Sequence, residues 1–140
     1  MVVSLGMAKV LLEASEKKAR EMGLSENIAI VDVGGNLKGF IRMDNAKFGG
    51  IEIAIDKAWT SVAMQMPTSN LANAAQPGGP SYGINTTNQG RIVVLGGGVP
   101  LVHNQKIVGG IGVSGATSAQ DIEVANAAVS VFEAMVQRQH

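Results

Sequence analysis

Gly109-Gly110-Ile111-Gly112-Val113-Ser114-Gly115, running on into Ala116-Thr117-Ser118-Ala119-Gln120-Asp121, is the stretch on which the fold turns. It reads as the end of a strand, a glycine-lined turn and the start of the last helix. Gly110, Gly112 and Gly115 match the G-x-G-x-x-G spacing of dinucleotide sites. That spacing works inside a βαβ unit, with a second parallel strand and an acidic residue about 20 positions later. Only residues 116–140 follow, and they read as one helix, so the second strand has no room. The segment belongs to an antiparallel sheet instead. Its glycines allow a ligand or another backbone to approach where a Cβ would collide. The amides at the following helix start can receive an anion.

Upstream of this segment, Val99 to Val102 and Lys106 to Val113 form a hairpin about His103-Asn104-Gln105, and Arg91 to Leu95 reads as a further strand ended by Gly96-Gly97-Gly98. Asn27 to Val33 and Leu37 to Met43 form another hairpin around Gly34-Gly35-Asn36. Leu5, Ala8, Leu12, Ser15, Ala19 and Met22 recur at helical steps, and Gly23 stops that helix. Ile51, Ile55, Ala58 and Val62 mark a second helix that ends near Met66, before Pro67. Thr68 to Asn73 is a short helix, and Gln76 to Thr87, rich in Pro and Gly, is a loop long enough to act as a lid or binding segment. Thr117 or Ser118 caps the last helix, with Gln120 or Asp121 closing a capping box. Its buried stripe is Ile122, Ala125, Val129, Phe132 and Val136. The predicted order is α-β-β-α-(α)-β-β-β-α. This is an α+β fold with a five-stranded, mostly antiparallel sheet flanked by helices.

The chain has 140 residues, enough for one domain over 1–140 with a real core. Apolar residues make up 46% and charged residues 16%, so the chain is globular. Lys plus Arg and Asp plus Glu are 11 each, which leaves no positive excess to grip nucleic acid or an anionic membrane. Cysteine is absent, which excludes disulfides and thiolate metal sites and fits a cytoplasmic setting. Lys9, Glu13 and Glu16 interrupt the N-terminal apolar residues, so neither a signal peptide nor a membrane span is expected.

Few side chains could carry chemistry. His103 beside a hairpin turn and His140 at the end lack partners at metal-ligand spacing, so no metal site is expected. Glu52 and Asp56 share a helix face and either hold a cation or form a solvated face with Lys57 as countercharge. Asp44, between a strand and a glycine-containing loop, is either a site residue or a structural one. Lys57 either reaches a pocket or lays its stem over apolar surface with the ammonium in water. Tyr82 either anchors a ligand or pins its loop. Asp121 is explained by the helix dipole. Ser114 has no histidine positioned as its base, and the methionines read as core or subunit-contact filler.

Five segments in order carry a resemblance: Arg42-Met43-Asp44; Asp56-Lys57-Ala58-Trp59-Thr60; Pro77-Gly78-Gly79-Pro80 with Tyr82-Gly83; Gly97-Gly98-Val99-Pro100; and Val108 to Gly115 with Gln120-Asp121. Over nearly its whole length the chain resembles the GlcG/HbpS family, which includes haem-degrading or haem-binding HbpS-like proteins and the C-terminal domain of PduO-type proteins. The resemblance implies a profilin-like or roadblock-like sheet and a homo-oligomer, from dimer to octamer. It also implies a small-molecule ligand, haem or another tetrapyrrole among the candidates. Some members accompany glycolate or propanediol utilisation. Ala116 and Ile122 depart from the family pattern, and a first-helix histidine that some members use for haem is missing. Asp44, Lys57, Tyr82, Gly98 and Gly115 stand at matching positions. With Gly112 they are the expected ligand-binding residues of a pocket between the Tyr82 loop, the second helix and Gly109 to Gly115. The favoured reading is a cytoplasmic ligand-binding protein. The rivals are an enzyme on a small oxygenated metabolite, with Asp44 as acid or base and Lys57 as its partner, and a scaffold serving assembly alone.

Overall fold

A computed structural model describes residues 1–138. Its elements are α1 (Leu5–Glu21), β1 (Asn27–Asp32), β2 (Leu37–Arg42), α2 (Gly50–Ala63), α3 (Thr68–Ala74), two 3₁₀ turns (Ile84–Thr86 and Asn88–Gly90), β3 (Gly98–His103), β4 (Lys106–Ser114) and α4 (Ser118–Gln137). The sheet is antiparallel throughout, in the order β2-β1-β4-β3.

Among the described residues it has four strands, not five. The predicted strand over 91–95 is an irregular crossing segment whose backbone groups bond to a side chain. The Thr60 hydroxyl donates to the Arg91 carbonyl (3.2 Å) and accepts from the Val93 amide (3.1 Å). With those groups taken up on α2, this stretch of backbone has less to offer a sheet ladder. Pro100 sits in β3, an edge strand, where a missing amide is tolerated.

Alternation in β1 sorts the layers. Ile28 and Ile30 join the core under α1 and α4, with Leu11, Val124 and Phe132, while Ala29 and Val31 face α2 through Ala54 and Ala58. The α1 stripe is shifted from the predicted one: Ala8, Leu12, Ser15 and Ala19 are buried with Met7 and Leu11, whereas Leu5 is exposed. Ser15 is accommodated because its hydroxyl donates to the Val124 carbonyl at 2.7 Å. Thr117 caps α4, and Gln120 completes the box.

The turns have local causes. Asp32 Oδ1 accepts from the Gly34 and Asn36 amides at 2.9 and 3.0 Å, closing the first hairpin. Asn104 and Gln105 both take positive φ, as a two-residue hairpin turn demands.

Candidate functional site

α2 lies almost in contact with the sheet backbone, and the glycines of β3 and β4 are the reason. A Cβ on Gly112 would come within 2.0 Å of the Ala54 carbonyl oxygen, and one on Gly98 within 2.3 Å of the Lys57 carbonyl oxygen. Both clashes are with helix backbone, which cannot rotate away. The glycines expected to receive a ligand therefore receive α2.

This close approach carries Lys57 into the interior. Its side chain is 2% exposed, and Nζ donates to the Val113 carbonyl (2.8 Å) and to Asp121 Oδ2 (3.1 Å). The ammonium does not reach water, contrary to the snorkelling expectation. Nor does Lys57 serve as countercharge to Asp56, since that carboxylate pairs with Arg91 at 3.1 Å and the Arg91 guanidinium lies 4.5 Å from the centre of the Trp59 ring. Asp121 does more than complement a helix dipole: it is buried, and its Oδ1 accepts from the Ala116 amide at 3.1 Å. A buried ion pair needs such additional bonds to offset desolvation.

Glu26, at the entry to β1, is fully buried and completes the cluster. Neither of its carboxyl oxygens has a hydrogen-bond partner among the described residues, and neither does Asn27 Oδ1. Burial, then the neighbouring Asp121 carboxylate, push the Glu26 carboxyl up to about 8, against an opposing pull from Lys57. Gly115 makes room: a Cβ there would lie 2.8 Å from the Ser25 carbonyl oxygen and 3.3 Å from the Glu26 Cα. Gly97, at φ +127°, passes so close that a Cβ would sit 2.9 Å from Lys57 Nζ.

The structure thus gathers four of the six expected site residues into one region, with Lys57, Gly98 and Gly112 buried and Gly115 half-buried at its edge. It leaves out Asp44 and Tyr82. Asp44 is exposed beside Glu16, Arg20 and Arg42, in a small cleft of about 220 Å³. Tyr82 is 69% exposed. An open groove lies away from the expected pocket. A groove of about 920 Å³ runs along β3, between the end of α2 with the start of α3 on one side and α4 on the other. Val62, Met66, Val99, Val129 and Phe132 supply apolar wall, and Lys106 and Glu133 supply charge. Among the described residues, no group of three His, Cys, Asp or Glu side chains is placed to hold a metal, and no helix is long and apolar enough to cross a membrane. His140 lies outside the described residues.

The sequence profile of the haem degrading protein HbpS-like family matches residues 3–130. The chain belongs to the HbpS-like family. It is similar to an uncharacterized 15.0 kDa protein of the dhaT-dhaS intergenic region of Citrobacter freundii, 39% identical over 93% of this chain and 92% of that one. Among solved structures, Klebsiella pneumoniae protein ORFY matches with a TM-score of 0.91 at 38% identity, covering 94% of this chain and 90% of that one. The crystal structure of a PduOC:haem complex matches with a TM-score of 0.89 at 33% identity, covering 93% and 94%.

Within this HbpS-like fold, Glu26 is the residue that sequence reasoning passed over. A single charged residue before a strand carries no signal of its burial. Asp121 did carry one: it stood in the same set of family segments as Lys57, although 64 positions separate them.

Proposed function

We propose that this HbpS-like protein binds haem, or another flat tetrapyrrole, in the groove along β3, and that it does so as a homo-oligomer. The observation that carries this reading is the groove. Its volume, about 920 Å³, is of the order ligand pockets have. Apolar side chains on both walls suit a macrocycle, and exposed Lys106 offers a cation to peripheral carboxylates. Among the described residues no histidine lines the groove, so Met66 is the thioether it offers to an iron. When bound, haem supplies an iron centre with redox and ligand-binding chemistry. The side chains exclude water from the ring faces, hold the carboxylates and present the Met66 sulfur. The family's character and the haem bound by PduOC point the same way. For self-association, Phe48 offers an apolar side chain 81% exposed. An enzyme built on Asp44 and Lys57 draws no support from the geometry, since Lys57 is closed in with Asp121 and Asp44 is exposed.

Haem titration followed at the Soret band tests this. Saturable binding is expected, weakened about tenfold, or 1.4 kcal/mol, by Lys106→Glu and altered in its iron spin state by Met66→Ala. Native mass spectrometry of the loaded protein reports haem per protomer and the number of protomers. Linear, non-saturating uptake would overturn haem binding. Saturable uptake indifferent to both substitutions would move it out of the groove.

A further inference from the structure

The buried cluster beneath the turn into α4 is unused by haem binding. Three ionisable side chains from three elements meet there: Lys57 of α2, Asp121 of α4 and Glu26 at the entry to β1, each 2% exposed or less. Lys57 and Asp121 neutralise each other, and both Asp121 oxygens already accept a hydrogen bond. Among the described residues, Glu26 has no donor on either oxygen. The charged groups acting on it are Lys57 from α2 and Asp121 from α4. From the end of β2, its own amide meets the uncharged Met43 Sδ at 3.4 Å.

The charge count decides the state of the cluster. With Glu26 ionised, one buried ammonium would face two buried carboxylates, and one of these would lack any hydrogen bond. With one proton added, the cluster is neutral, and the new O–H can donate to a remaining lone pair of Asp121. We propose that Glu26 and Asp121 share a single proton over Lys57, and that this proton is a latch holding the Gly115–Ala116 turn closed on the cluster. The turn is the thin part of the cover. Gly115 and Ala116 are half-buried, residues 117–119 beyond them are exposed, and Asp121 itself holds the Ala116 amide. Losing the proton leaves an unpaired buried charge. Water reaches it most readily if this turn lifts and α4 loses the bond that ties its N-terminus to residue 116. The position at which Glu26 gives up its proton, about 8, brings the latch within the range a cell's pH can move.

The test is amide hydrogen exchange at Ala116 from about pH 5 to pH 9, corrected for intrinsic exchange, in the wild type and in Glu26→Gln. In the wild type, turn opening is expected to rise by up to about tenfold per pH unit and to level off above about 8. In Glu26→Gln, whose amide stays neutral, it is expected to stay flat. Should that variant not fold, the Glu26 carboxyl carbon resonance of the wild type decides, and it is expected to titrate near 8. Identical exchange profiles in the two proteins, or a carboxyl titrating at its ordinary 4.5, would overturn the latch. So would stability at alkaline pH that follows the choice of sodium or potassium over choline, because a metal cation would then stand where the proton is put.

Discussion

Lys57 illustrates how one side chain can belong to a motif and yet serve a purpose the motif does not reveal. Its ammonium is held by one carbonyl and one carboxylate, away from water. Lys57→Met keeps the volume but strands Asp121 beside Glu26. We expect a loss of about 3–5 kcal/mol, the range for breaking a buried pair from one side, measured by urea unfolding. Gly112 acts by what it lacks. Gly112→Ala drives a methyl into the Ala54 carbonyl, and neither α2 nor β4 can yield locally. A destabilisation at or above the ~1–3 kcal/mol typical of overpacking is expected, and a neutral result would show that α2 is not seated on the Gly112 backbone.

The elements were mostly legible because their causes are local. Hairpin turns, the Thr117 cap and the stop at Gly23 lie within a few residues of what they control. The crossing segment 91–95 reads as a strand because its residues have strand character, while its backbone partner in the fold is a side chain some thirty positions away. Thr60→Val keeps the shape of the side chain and removes both bonds. It should cost about 1–3 kcal/mol by leaving the Arg91 carbonyl and the Val93 amide without their partner. Equal denaturation midpoints for Thr60→Val and wild type would show that the segment is held by other contacts.

For the molecule as a whole, the Glu26 carboxyl sets a pH dependence with a definite sign. Its folded value, about 8, lies above its ordinary 4.5, so the native state binds the extra proton between those limits. Stability from this group is therefore full below about 4.5 and falls as pH rises, with the loss complete above about 8. The same Glu26→Gln variant that tests the latch should lack this decline and unfold later than wild type at alkaline pH. A net charge of zero adds little general self-repulsion to obscure the effect.

The order of helices and strands apart from the supposed strand over 91–95, the antiparallel pairing and the family were readable from the chain alone, since turn residues, apolar periodicity and short motifs act over a few neighbours. Four of the six expected site residues do meet, yet the reason for their meeting was hidden. Glycine spacing says that something approaches the backbone, but not whether it is a guest or a helix. Packing answered that, by setting α2 on Gly98 and Gly112 and so enclosing Lys57 with Asp121 and Glu26. Burial decides which charges must pair and which must keep a proton, and burial is a property of all the elements together.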